Sequence, residues 1–189
     1  MTSLSQLTNN MRIILYFGSF NPIHYGHLNL ADYVLATEDV DALWFVLSPH
    51  NPLKNPTDLW SEQKRLSLVQ EAIVGHKGIA ACDIEFSLPK PNFTINTLRH
   101  LSALYPQHTF SVLIGEDNYA IFDHWCDWQE ILNNWTIYVY PREGCESNRS
   151  RFPQMRWLDN APHFNISSTE IRHRLSCGES VDDLTPIKI

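Results

Sequence analysis

Two histidines, His24 and His27, lie three residues apart where a short loop leads into a helical pattern. On the first turn of a helix this spacing directs both imidazoles toward the same side. The free backbone N–H groups of a helix start carry about half a positive charge and attract anions. Two imidazole donors beside such a site would suit a polyphosphate whose charge grows during a reaction. The spacing alone is equally compatible with a zinc pair or two surface histidines, although no third ligand candidate lies nearby in sequence.

A second polar cluster, Ser167, Ser168 and Thr169, directly precedes an apolar spacing that predicts a helix. Arg172 follows about one turn inside that helix. Hydroxyls, free backbone N–H groups and a guanidinium together resemble a cradle for the outer phosphates of a nucleotide. Taken in isolation, the same pattern is better explained as a well-capped surface helix.

The elements that must position these groups alternate between strands and helices. Apolar, β-branched runs that predict strands occupy residues 12–17, 41–48, 79–86, 109–114 and 135–140. Helical patterns occupy residues 25–35, 61–74, 95–105 and 127–132, and a last helix follows Ser167 to Thr169. This alternation predicts an α/β fold with a Rossmann-like, doubly wound parallel sheet and right-handed crossovers. Functional groups should then collect at the carboxyl ends of the strands.

The composition is that of an ordinary globular chain, with 189 residues, 43% of them hydrophobic, and a formal net charge of −7. This length suits one domain with a single substantial core, so we expect residues 1–189 to form one domain. The negative charge argues against nucleic acid or an acidic membrane surface as a partner, because such surfaces require a basic footprint. Whether the chain forms a homo-oligomer is left open by the sequence.

No stretch approaches the roughly 20 apolar residues that span a membrane, and the N-terminal residues MTSLSQLTNN lack a signal-peptide pattern. We therefore expect a cytoplasmic protein without membrane contact. The four cysteines are widely scattered and form no CxxC pair, which argues against both a zinc site and a disulfide framework.

Further candidate residues follow the predicted strand ends. Lys54 lies on the Pro-rich loop SPHNPLKNP, where it could neutralise phosphate charge or be merely solvated. Gly115 ends a strand, and Asp117 just beyond it could accept hydrogen bonds from ribose hydroxyls or cap the next helix. Arg142 ends another strand and could reach phosphate or solvent. The polar segment 142–155 that follows predicts a mobile surface loop.

Two candidates lie between these strands. Thr94 precedes a helical pattern, where a plain N-cap explains it as well as a binding role does. Trp125 belongs to an aromatic cluster with Phe122 and Trp128, in which at least one ring should belong to the core.

The segment GSFNPIHYGH at residues 18–27 resembles the (H/T)xGH signature of the nucleotidyltransferase superfamily, and ISSTEIR at residues 166–172 resembles its second signature, ISSTxIR. Within that superfamily the chain most resembles bacterial nicotinate-nucleotide adenylyltransferases, from Arg12 to about Leu184. It departs from the usual pattern at three positions and has a shorter Pro-rich loop. The departures are Phe17 in place of Gly, Asn21 in place of Asp, and Leu88 in place of Arg.

The resemblance implies transfer of AMP from ATP, accompanied by Mg²⁺, to nicotinate mononucleotide, with no metal site of the protein's own. It implies catalytic roles for His24, His27, Lys54 and Arg172, and nicotinate contacts through the backbone at Thr94 and the ring of Trp125. The residues that it places on ATP are Gly18, Ser19, Phe20, His24, His27, Gly115, Asp117, Ser167, Ser168, Thr169 and Arg172.

Three alternatives to this hypothesis differ in acceptor or in class. A sister transferase would use the same ATP machinery with pantetheine phosphate or nicotinamide mononucleotide. A nucleotide-binding sensor would bind ATP without turnover. A class I aminoacyl-tRNA synthetase shares an HIGH-like pair, but this short, acidic chain has no KMSKS-like motif.

Overall fold

The computed structural model describes residues 10–49 and 59–189. The predicted phosphate ligand Lys54 lies outside the described residues. Among the helices of the described residues, none combines the length and the apolar composition of a membrane span.

The described residues form one sheet of six parallel strands in the order β3-β2-β1-β4-β5-β6. The strands are β1 (Arg12–Gly18), β2 (Ala42–Leu47), β3 (Ile79–Cys82), β4 (Thr109–Gly115), β5 (Thr136–Tyr140) and β6 (Arg156–Trp157). The chain order reverses between β1 and β4, which pair in register from Arg12 with Thr109 to Tyr16 with Leu113. Ligands of open α/β sheets bind in the crevice at such a reversal. The predicted Rossmann-like fold is confirmed.

Helices between the strands cover both faces of the sheet, and a last helix follows β6. They are α1 (Tyr25–Thr37), α2 (Glu62–Ala72), α3 (Thr94–Leu104), α4 (Glu116–Ala120), α5 (Trp128–Asn134) and α6 (Ser168–Ser176). Alternate residues of β1 point to opposite faces. Ile13 and Leu15 pack with α3 and α5 in one buried cluster, and Ile14 and Tyr16 pack with α1 and α2 in another.

The structure corrects two details of the sequence prediction. The strand predicted over residues 79–86 ends at Cys82, because a 3₁₀ turn at Ile84–Phe86 directs the Glu85 carboxylate inward to Thr97. The helix predicted to begin after a Thr94 cap has Phe93 as its N-cap and Thr94 as its first residue, and no side-chain cap.

The segment 142–155 is more closely packed than a plain surface loop. Phe152 and Met155 are buried, and the Tyr119 hydroxyl donates to the carbonyl of Asn148 at 2.9 Å. The buried Glu116 carboxylate accepts the backbone N–H of Ser147 at 3.0 Å. The segment leads into β6, a two-residue strand that sequence patterning did not identify.

Candidate active site

The loop between β1 and α1 turns sharply at Phe20, whose φ of 42° lies in the left-handed region. The Phe20 ring is buried against Tyr16 and Phe45, with ring centroids 5.7 and 5.0 Å away. A Cβ on Gly18 would lie 2.8 Å from Cζ of that ring. Gly18 is therefore required because the ring and backbone approach closely. Phe20 can offer a nucleotide its backbone but not its buried side chain.

His24 and His27 lie at the start of α1 with their rings stacked, centroids 3.6 Å apart and planes inclined by 25°. His24 is the N-cap residue and is buried, whereas His27 is half-buried. The His27 Nδ1 accepts the backbone N–H of His24 at 3.3 Å. A neutral ring that accepts through Nδ1 carries its proton on Nε2, so the second ring nitrogen of His27 is a hydrogen-bond donor.

Burial, together with the charge of Arg142, lowers the pKa of His24 to about 4 from 6.5. The ring is therefore neutral at physiological pH. Its Nδ1 is buried and has no partner with hydrogen-bond geometry among the described residues. The neutral imidazole of His24 therefore presents a dipole rather than a buried positive charge at this position.

The depressed pKa of His24 predicts acid sensitivity of the fold. The unfolded chain takes up a proton near pH 6.5 and the folded chain only near pH 4, so stability is lost as pH falls between these values. Between neutral pH and about pH 5, we expect this residue to lower the free energy of unfolding by about 2 kcal/mol. Urea unfolding of wild type and His24→Asn at both pH values measures it. Equal losses in the two proteins would contradict the assignment.

The start of α6 lies against the β1–α1 loop. The Ser168 hydroxyl donates to the carbonyl of Pro22 at 2.8 Å, and Arg172 Nη1 donates to the carbonyl of Asn21 at 2.8 Å. Ser167 is the N-cap, and its hydroxyl accepts the N–H of Glu170 at 3.1 Å. The two helix starts that the sequence predicted as phosphate elements therefore converge on one edge of the sheet.

The ends of β4 and β5 continue this edge of the sheet beyond β1. A Cβ on Gly115 would lie 2.8 Å from Cδ of Arg142 and 3.1 Å from the Tyr140 hydroxyl, so only glycine fits there without displacement. Arg142 lies 3.8 Å from the Asp117 carboxylate. The Tyr140 hydroxyl is 3.0 Å from that of Tyr16, and burial raises the pKa of both phenols, so they remain neutral.

Thr94 and Trp125 lie on the face of the sheet covered by α3 and α5. Trp125 is half-buried and packs against the fully buried Phe122, with ring centroids 5.4 Å apart. Thr94 is half-buried at the first position of α3, where backbone N–H groups have no partner within the helix. Phe122 is thus the core ring expected of the cluster, which leaves part of Trp125 accessible.

Residues 15–174 match the cytidylyltransferase-like family. A Bacteroides fragilis protein named "probable nicotinate-nucleotide adenylyltransferase" is 44% identical over 167 residues, covering 88% of this chain and 83% of the relative. A Flavobacterium johnsoniae protein of the same name is 42% identical over 182 residues, covering 95% of this chain and 94% of the relative. The chain belongs to the nicotinate-nucleotide adenylyltransferase family.

The fold is similar to that of two solved structures of Plasmodium falciparum nicotinic acid mononucleotide adenylyltransferase, one complexed with APC and one with NaAD. The first has a TM-score of 0.75 and 19% identity, covering 93% of this chain and 90% of that chain. The second has a TM-score of 0.73 and 18% identity, covering 92% of this chain and 90% of that chain. The shared fold therefore covers nearly the whole of this chain, a member of the nicotinate-nucleotide adenylyltransferase family.

Sequence patterning missed a buried charged group that contacts the β1–α1 loop in this family member. Arg65 of α2 is fully buried beneath the β1–α1 loop and donates to the carbonyl of Ser19 at 2.6 Å. The sequence did indicate this burial, since Arg65 is in helical register with the buried residues Leu68, Val69 and Ala72. An arginine on the apolar face of a helix indicates a buried, hydrogen-bonded cation.

Proposed function

We propose that this chain transfers the adenylyl group of ATP to nicotinate mononucleotide, giving nicotinate adenine dinucleotide and pyrophosphate in NAD biosynthesis. The observation that carries the proposal is the contact between the two helix starts. Ser168 and Arg172 of α6 hydrogen-bond the loop that leads into His24 and His27. This arrangement supports a single triphosphate site formed by both signature segments.

The attacking group in this reaction is a phosphate oxygen that already carries negative charge. No strong general base is required, so catalysis consists of in-line positioning and stabilisation of the charge that develops on the phosphates. The neutral state of His24 agrees with this, because the residue is not called upon to exchange a proton.

We assign His24 and His27 to the α-phosphate and its neighbour. The departing pyrophosphate is assigned to Ser167, Ser168, Thr169 and Arg172 of the α6 start and to Lys54, the last from sequence alone. Gly18, Ser19 and Phe20 would contribute backbone close to the phosphates. Gly115 and Asp117, beside the crevice between β1 and β4, would hold the adenosine.

The described residues contain no group of three or more His, Cys, Asp or Glu side chains that could enclose a metal ion. Mg²⁺ requires no such enclosure, since it keeps several waters and binds largely through substrate phosphates. A magnesium ion that arrives with ATP would therefore need no cluster of protein ligands at this site. When bound, it would neutralise phosphate charge, and the protein's donors would act on the oxygens that remain.

Trp125 is proposed to stack on the pyridine ring of the acceptor. Trp125→Ala should raise the KM for nicotinate mononucleotide by roughly threefold to tenfold, the equivalent of about 0.5–1.5 kcal/mol of ring stacking. The KM for ATP should not change. Trp125→Phe keeps a ring and should recover most of the affinity. Initial-rate measurements with each substrate varied in turn check this, and an equal rise in both KM values would contradict the assignment.

An acceptor panel at fixed ATP and Mg²⁺ tests the function itself. Pyrophosphate release should be fastest with nicotinate mononucleotide and slower with nicotinamide mononucleotide or pantetheine phosphate. A faster rate with either competitor would assign the chain to a sister activity. ATP binding without release in every case would favour a sensor.

A further inference from the structure

Arg65 has no exposed surface, and within residues 10–49 and 59–189 no other Arg, Lys, Asp or Glu is buried as completely. In the described part of the chain no carboxylate lies within salt-bridge distance of its guanidinium, and Glu62 acts on it only at longer range. Its hydrogen-bond acceptors are four backbone carbonyls instead: Nη1 binds Ser19 at 2.6 Å and Ser48 at 2.9 Å, Nη2 binds Pro49 at 3.1 Å, and Nε binds Trp60 at 3.0 Å.

These carbonyls belong to three separate segments. Ser19 lies in the β1–α1 loop, Ser48 and Pro49 follow β2, and Trp60 precedes α2. Burying a cation is costly, and an apolar residue of similar volume is often as stabilising as a buried ionic group. The forked guanidinium has a property that an apolar residue lacks, since its five donors in fixed geometry can hold several carbonyls at once.

The loop that Arg65 holds is strained at Phe20, the residue after Ser19, whose φ is 42°. Arg172 donates to the carbonyl of Asn21, the residue after Phe20. Two arginines from different helices therefore fix the backbone on either side of the left-handed residue. Such a conformation persists only where the surroundings over-determine it.

Trp60 links Arg65 to Asn21 of the β1–α1 loop. Its carbonyl accepts from Arg65, and its backbone N–H donates to the Asn21 Oδ1 at 3.0 Å. The network thus runs from the buried guanidinium through residues 19–21 to α6. Only Pro22 and Ile23 separate residues 19–21 from His24.

We propose that Arg65 is a positioning residue for the triphosphate site, which holds the β1–α1 loop against the end of β2 so that His24 and His27 face the phosphates. The inference rests on the proposed adenylyl transfer. Arg65 does not touch substrate; it acts through the Ser19 carbonyl and the loop that follows.

The test compares Arg65→Ala with Arg12→Ala. Arg12 is a matched control because it is a hydrogen-bonded arginine at the opposite end of β1, where it binds Asp41. Below its unfolding transition, Arg65→Ala should lose on the order of tenfold to a hundredfold in kcat and bind a non-hydrolysable ATP analogue more weakly. Its KM for the acceptor should not change. Arg12→Ala should keep wild-type kinetics.

Chemical rescue separates positioning from a general loss of stability. Guanidinium ion, at concentrations far below those that denature proteins, should restore part of the kcat of Arg65→Ala because it can refill the space left by the side chain. Methylammonium at the same concentration should not, since it lacks the fork. A destabilised but otherwise normal enzyme would be weakened further by guanidinium, and that result would overturn the proposal.

Arg65→Lys covers the case in which the alanine variant does not fold. Lysine keeps the charge but cannot bridge the same carbonyls, so a folded Arg65→Lys should still show reduced kcat and weaker analogue binding. Wild-type values in that variant would refute the positioning role. Absence of pyrophosphate release from the wild type with every acceptor would instead refute the adenylyl transfer, so the two failures are distinguishable.

Discussion

Replacing His27 with alanine is expected to lower turnover by on the order of a hundredfold or more, while the chain still folds. Its Nδ1 accepts the backbone N–H of His24, so its Nε2 carries the proton that we assign to a phosphate oxygen. The ring is fixed by stacking on His24 and by an edge contact with Phe20, whose centroid is 5.1 Å away. A donor fixed before the reaction stabilises developing charge more effectively than water does.

The measurement is the rate of pyrophosphate release at saturating ATP and nicotinate mononucleotide, alongside thermal unfolding of the same preparations. His100→Ala is the control, because His100 is an exposed histidine in the last part of α3. It should match the wild type in both assays. Near wild-type turnover in His27→Ala would remove His27 from the catalytic assignment.

The second large effect is expected from Arg172→Ala, which should reduce kcat/KM for ATP by on the order of a hundredfold. Nη1 of Arg172 donates one hydrogen bond to the Asn21 carbonyl, and its Nη2 lies 3.4 Å from the Thr169 hydroxyl. A guanidinium has five donors, so others remain for a phosphate. The substitution removes both this charge and one of the hydrogen bonds that fix the loop around Phe20.

Arg174→Ala is a close control for Arg172→Ala, since it removes the same side chain two positions further along α6. Arg174 pairs with Glu170 at 2.8 Å and Asp183 at 3.2 Å, away from the loop. Its loss should change stability little, because exposed ion pairs contribute little, and should leave the kinetics unchanged. If both variants lost ATP affinity equally, the effect would belong to the stability of α6 rather than to a phosphate contact.

Much of the architecture was predictable because local patterns and tertiary structure agree. The apolar run of β1 ends at Gly18 in the structure as in the prediction, and the helical spacing from Tyr25 gives α1. Prediction was wrong where a distant contact outweighed local preference. At residues 83–86 a strand-like pattern gives way to a 3₁₀ turn because Glu85 reaches Thr97, twelve residues away.

The residues of the candidate site also fall into those that local sequence predicts and those that it does not. Sequence spacing singled out two groups of candidates, His24 with His27 and the Ser167–Thr169 cluster. The residues of each group lie close together in the sequence, so their pattern is visible there. It did not identify Arg65, Tyr16 or Tyr140. Their roles arise from partners on other elements, such as the Ser19 carbonyl for Arg65 and each other's hydroxyls for the tyrosines.

The sequence alone determined the alternation of strands and helices and the two polar segments that begin α1 and α6. Only the tertiary structure decided that these segments meet, through Ser168 and Arg172 on the loop between β1 and α1. Strand and helix formation depend on periodicities of two and 3.6 residues, which are local and visible in a single sequence. The meeting of the two segments depends on strand order and on hydrogen bonds between residues about 150 positions apart. No local sequence pattern predicts either of these.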